Sequence, residues 1–489
     1  MKTHHYLKKN LWGSAFLSLG VITPLYGGTS EQFPIATTVQ SEGCMSAAFD
    51  GTNFLAGILG NTLDSNGISW QRISQTGALL GERINQGSFG SGPVVGFGAG
   101  TYLVAWDSAG DTNTQIYGQR VNTNGTAIGS AVQISFSTGD VEISDYSKVA
   151  FGDGKFLMVW EDYRSGDEPD IYGQLIRTNG TLFGSEIPIA TDNVDSGEQG
   201  DNDDKEASVA FDGTNFLVAF TAERREGFFS REDVYGQFVS PSGTLVGDNF
   251  VIDENNIPSC NPTATCWDGE KYTVLFHEGI EGEATEFEEQ WDIIARFVSP
   301  NGIVATNRIA IATSPTDSEQ FPSIAYDGTH YLITVSCSMG ISTNTPTGTN
   351  TLSRARLFDS QLNPTTPWFT IYDPVPFGIF PFSGAVAGNN NFAVGISLMS
   401  GDFDFIDVYG VMVDSAPPKI ESFDIQETTA SLFFTNLFLG TTNRIEQNAS
   451  LTTNNWVQAG EFLCTSPSTN WTGSISNEWT SMFYRLQIK

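Results

Sequence analysis

One short pattern recurs seven times along this chain: an aromatic residue, a glycine-containing turn, a second aromatic residue and an apolar run. It is clearest in Phe49-Asp50-Gly51-Thr52-Asn53-Phe54-Leu55 and Phe211-Asp212-Gly213-Thr214-Asn215-Phe216-Leu217. Further copies run from Phe97 to Leu103, Phe151 to Leu157, Trp267 to Tyr272, Tyr326 to Tyr331 and, most faintly, Ala387 to Phe392. Seven copies between residues 49 and 387 give a period of about 56 residues. Gly and Asn accept the positive φ of a tight reversal, so each copy predicts two antiparallel strands joined by a short turn. A third strand carries Ile116-Tyr117-Gly118-Gln119, Ile171-Tyr172-Gly173-Gln174, Val234-Tyr235-Gly236-Gln237 or Val408-Tyr409-Gly410. A second turn follows, such as Asn124-Gly125-Thr126, and then a fourth strand, such as Glu186 to Ala190. Four antiparallel strands repeated seven times predict an all-β fold, a seven-bladed β-propeller.

The ends of the array predict how the ring closes. The seventh unit supplies three strands and then meets Pro417 and Pro418. Near the N-terminus, Phe33-Pro34-Ile35-Ala36-Thr37 resembles Ile187-Pro188-Ile189-Ala190-Thr191, a fourth strand of another unit. Phe33 to Thr37 is therefore expected to complete blade seven, which removes the open edges of an unclosed array. Beyond Pro418 the motif stops, and short alternating runs predict a small β-sandwich-like domain. The expected division is a signal peptide over 1–28, a propeller over 29–416 and a C-terminal β-domain over 417–489.

The signal rests on Lys2, Lys8 and Lys9, then a mostly apolar stretch from Leu11 to Leu25. It predicts a secreted or cell-surface protein, and no later segment is apolar for long enough to span a bilayer. The net charge of −33 over 489 residues excludes nucleic acid and anionic membrane as partners, because both need a basic footprint. The five cysteines, Cys44, Cys260, Cys266, Cys337 and Cys464, do not make a disulfide framework in a chain this long. Cys260 and Cys266 are near enough in sequence to be considered as a pair, and no CxxC spacing predicts a zinc site.

The units carrying Val209-Ala210-Phe211-Asp212-Gly213, Asp170-Ile171-Tyr172-Gly173-Gln174 and the Ser240-Pro241-Ser242-Gly243 turn resemble repeats of large exported bacterial proteins. Those repeats come without an agreed catalytic set, so the resemblance implies architecture rather than activity. The tail, with Arg444-Ile445-Glu446, Asn455-Trp456 and Phe483-Tyr484-Arg485-Leu486, is similar to small C-terminal β-modules of exported and surface bacterial proteins. That likeness implies an attachment or accessory role.

In a propeller the long loops after strand two and the links between blades share one face, and irregular loops on a rigid scaffold are where binding resides. Much of the acid lies there. The candidate site residues are Asp107, Glu161, Asp162, Asp170, Asp201, Asp203, Asp204, His277 and Glu278. The Asp that opens strand three recurs as Asp170, Asp233, Asp292 and Asp407, and such repetition predicts a structural role. Beyond a removable N-terminus only His277 and His330 remain, which leaves little for a Ser-His-Asp or multi-histidine metal site. These features predict an exported, non-enzymatic binding or structural protein that engages a protein or polysaccharide through its acidic face. One alternative is a carbohydrate-active enzyme with a carboxylate pair on that face, for which Glu161, Asp162 and Glu278 are best held. The other is a calcium-stabilised structural or adhesive protein; apart from calcium (Ca²⁺) no cofactor is expected.

Overall fold

A computed structural model describes residues 29–30, 32–36, 42–60, 67–87, 90–109, 113–143, 149–166, 168–191, 203–226, 229–254, 260–279, 291–339, 350–376, 379–400, 405–415, 419–426, 429–435, 442–448, 457–463, 469–474 and 483–488. The expected signal peptide and Asp201 lie outside these residues. Among the described residues every regular element is a strand, and none is a helix long and apolar enough to cross a membrane.

Seven antiparallel sheets follow one another in chain order. Blade one runs from Glu42–Phe49 to Leu79–Asn85, blade two from Ser91–Gly98 to Ala127–Gln133, and blade three from Val141–Glu142 to Leu182–Ala190. Blade four runs from Asp204–Phe211 to Leu245–Asp253, blade five from Cys260–Trp267 to Ile309–Ala312, and blade six from Ser318–Tyr326 to Phe369–Pro376. Blade seven contributes Ile379–Ala387, Asn391–Ser400 and Phe405–Asp414, and its fourth strand is Phe33–Ala36 from the other end of the chain. Phe33 pairs with Gly410 and Pro34 with Tyr409, as the sequence likeness predicts. Gly410 is required at this closure, since a Cβ there would come 2.5 Å from the Phe33 ring.

Each repeated residue has a physical task. The motif aspartates close the turn between strands one and two: Asp212 Oδ1 accepts the N–H groups of Thr214 and Asn215 at 2.6 and 2.7 Å. Asp50, Asp268 and Asp327 do the same. The two aromatics that flank the turn pack on each other, with ring centroids 4.6 Å apart for Phe211 and Phe216. The Gln of the strand-three motif spans a register break to strand four. Gln174 Nε2 donates to the carbonyls of Leu175 and Phe183, both at 3.0 Å, and Gln71, Gln119 and Gln237 make equivalent pairs.

The core sits between blades rather than within one. An apolar cluster joins each successive pair, as where Leu103 and Ala105 of blade two meet Phe156, Met158 and Trp160 of blade three. The cluster that joins Ala393, Val408 and Met412 of blade seven to Phe54, Ala56 and Ile58 of blade one includes Ile35 and Ala36, so the ring is closed by packing as well as by pairing. The tail forms two three-stranded sheets, one from Lys419–Gln426, Thr429–Thr435 and Thr469–Ser474, the other from Val457–Leu463, Thr442–Asn448 and Phe483–Ile488.

The suggested pairing of Cys260 with Cys266 does not occur. Both residues lie on the one strand Cys260–Trp267. Six positions along an extended strand span about 20 Å, far beyond disulfide reach.

Candidate functional site

Antiparallel pairing brings the end of strand two, the start of strand three and the start of strand one to the same rim of every blade. Asp162 therefore faces Asp170 in blade three, Glu278 faces Asp292 in blade five, and Glu319 faces Cys337 in blade six. From blade two to blade six the rim carries carboxylates, but their surroundings divide them into two groups.

In blades two to four the acids hold the ring together. Asp107 and Glu161 occupy the same strand-two position, and each reaches the next blade. Asp107 Oδ2 accepts the N–H of Ile143 at 3.2 Å, and Glu161 Oε1 accepts the N–H of Glu206 at 2.7 Å. Ile143 and Glu206 correspond, since each follows the strand-one residue paired with that position in its own blade. Asp162 is wholly buried and accepts from Ser137 Oγ, Trp160 Nε1 and the Arg164 guanidinium, the last at 2.6 and 2.8 Å. Burial alone raises its pKa, but the Arg164, Ser137 and Trp160 hydrogen bonds outweigh this and hold the carboxyl below the usual range. Arg164 also pairs with Glu186 at 3.0 Å.

Asp170 accepts from Ser165 Oγ at 2.6 Å, and burial leaves its pKa raised. The N–H of Asp204 is tied to the carbonyl of Pro169 in the preceding blade. Asp203 is raised by burial against the pull of Lys205, whose Nζ lies 2.7 Å from Glu232.

Blades five and six are different. His277, in the position of Asp107 and Glu161, is buried, stacks on Trp291 with centroids 4.3 Å apart, and leaves Nδ1 without a hydrogen-bond partner. Burial pushes its pKa down to about 3, so the ring is neutral across ordinary pH and is no general acid. Glu278 forms an ion pair with Arg308, which also meets Asp253 at 3.2 Å. Asp292, directly across the strand pair from Glu278, has Oδ1 buried without a partner. Burial and the charge of Glu278 push Asp292 up to about 6.

Glu319 is 3% exposed and accepts one long hydrogen bond, from the Ser314 N–H at 3.4 Å. Burial, reinforced by the charges of Asp292 and Asp317, pushes it up to about 8. Cys337, free and 1% exposed, is raised to about 12 by burial.

The rim thus brings Glu278 together with three groups that sequence reasoning did not select: Asp292, Glu319 and Cys337. The available signal was the loss of a sequence-local arginine, whose place is taken by the distant Arg308. Blade three places Arg164 two residues after Asp162, whereas Ile280 follows Glu278 at that distance.

No protein-family model and no curated protein matches the chain. Solved structures similar to it include a Dyadobacter fermentans DSM 18053 protein of unknown function, at 9% identity and TM-score 0.41, covering 80% of this chain and 99% of that one. The Bacteroides ovatus xyloglucan PUL GH43B is 10% identical with TM-score 0.32, covering 94% of this chain and 99% of its own. A Trypanosoma rangeli sialidase is 10% identical with TM-score 0.38, covering 70% of this chain and 56% of its own. Likenesses this distant bear on neither activity nor ligand, and the geometry of the rim carries the reading that follows.

Proposed function

We propose that this is an exported carbohydrate-active enzyme that cleaves glycosidic bonds with Asp292 and Glu278 of blade five. The observation that carries the reading is the pair itself. Two carboxyls stand directly opposite each other on neighbouring strands, one in an ion pair with Arg308 and the other with an oxygen that none of the described residues satisfies. Environments that set two carboxyls apart in this way assign an acid and a nucleophile. Asp292, held protonated to about pH 6, gives its proton to the leaving glycosidic oxygen. Glu278, held by its ion pair with Arg308, attacks the anomeric carbon.

Opposed strand positions place Cβ atoms roughly 5 Å apart, which suits the roughly 5–5.5 Å carboxyl spacing of a retaining mechanism. A glycosyl–Glu278 ester then forms, and water hydrolyses it with Asp292 acting as base.

A non-enzymatic acidic binding face is less well supported, because Asp107, Glu161 and Asp162 already bond within the ring. Export belongs to the same reading and rests on the basic and apolar N-terminal pattern. Incubation with activated 2-deoxy-2-fluoro glycosides, followed by peptide mass spectrometry, tests the assignment. The sugar is expected on Glu278; a label on another carboxylate, or glycan binding without turnover or label, would count against it.

A further inference from the structure

We propose that Asp317, Glu319 and Cys337 of blade six form a binding site for a thiophilic divalent cation of the zinc type. One donor atom from each lies within 4.8 Å of the other two. The backbone sets this up. Glu319 and Cys337 are direct cross-strand partners, and Asp317 lies in the bend just before that strand, two residues from Glu319.

Two of the three donors are buried and short of partners. Cys337 has no hydrogen-bond partner among the described residues, and Glu319 has only its 3.4 Å contact with the Ser314 N–H and no cation paired to it. A buried carboxylate in that condition must either keep a proton or meet a metal. Asp317 is held at Oδ2 by Arg354 at 3.2 Å, so a metal would share this carboxylate with the guanidinium.

The donor set selects the metal. A thiolate beside two carboxylates suits zinc or a metal of similar softness. Calcium takes six to eight oxygens and is disfavoured by the sulfur. Three protein ligands leave the fourth tetrahedral position to water. Zinc–ligand distances of about 2.0–2.3 Å need donors somewhat under 4 Å apart, so donors at the 4.8 Å limit would close by about 1 Å on binding and nearer ones by less. Binding expels the protons of Cys337 and Glu319, so affinity rises with pH. The site fastens the first two strands of blade six where the rim meets Asp292, and it is independent of the glycosidase reading.

Cobalt substitution tests the proposal without any activity assay. Full-length protein freed of metal with chelator, and also refolded in Co²⁺, is expected to bind one equivalent and show a thiolate-to-cobalt charge-transfer band. Zn²⁺ should displace the cobalt and raise the melting temperature. Cys337→Ser should lose the band and weaken Zn²⁺ binding by about tenfold or more, Glu319→Gln should weaken it similarly, and Cys266→Ser should keep the band. The proposal is overturned if the wild-type protein shows neither band nor Zn²⁺-dependent melting shift. It is overturned equally if the band survives in Cys337→Ser.

Discussion

The rim of blade three and the rim of blade five are built from the same strand positions, yet they treat acid in opposite ways. At one, Glu161 clasps the next blade and Asp162 is saturated by Arg164, Ser137 and Trp160. At the other, His277 is a neutral apolar filler, Glu278 holds Arg308, and Asp292 keeps a buried oxygen without a partner. A repeated scaffold thus separates carboxylates that maintain the ring from carboxylates available for chemistry. The number of partners, not the amount of acid, marks the difference.

The largest effect that would sharpen this contrast is on turnover. Asp292→Asn and Glu278→Gln should each reduce glycan hydrolysis by roughly 10²-fold or more, the range of a lost acid or base, measured as initial rates. The stability of Asp292→Asn should not fall at neutral pH. A carboxyl whose folded pKa is raised stabilises the fold below its unfolded value near 3.8 and loses that contribution as pH rises through about 6.

Next comes Asp162→Ala, which leaves Arg164 with Glu186 alone, takes the acceptor from the Trp160 indole and should cost about 3 kcal/mol by chemical denaturation. In the wild type, the contribution of Asp162 is present above its unfolded pKa and is lost as pH falls through the depressed folded one. Glu161→Ala removes one charge-assisted bond between blades and should cost about 2 kcal/mol. A loss of stability in Asp292→Asn equal to that in Asp162→Ala would erase the distinction.

The smallest effect is on acid sensitivity. His277 stays neutral in the fold down to about pH 3, so its contribution is present above the unfolded value near 6.5 and declines as pH falls below it. His277→Phe should flatten the stability curve between those limits in pH-dependent melting.

The architecture was legible because its determinants are local. Asp-Gly turns, paired aromatics and the strand-three glycine each serve a backbone need that repeats with the unit, and Phe33 betrayed the closure by resembling another fourth strand. The site was only half legible. Glu278 stood out by its place after strand two, but Asp292 looked like one more member of the column that contains Asp170. Asp170 is bonded by Ser165, whereas among the described residues none bonds Asp292 Oδ1. Asp317, Glu319 and Cys337 carry no spacing signature at all, because cross-strand pairing, not sequence proximity, assembles them.

The most direct measurement is the initial rate of polysaccharide hydrolysis at pH 5 for the wild type and Asp292→Asn, with melting temperatures taken on the same samples. The acid role of Asp292 predicts hydrolysis by the wild type, a loss of about a hundredfold or more in the variant, and no drop in melting temperature. Equal rates in the two proteins, or no hydrolysis of any glycan by the wild type, would contradict it.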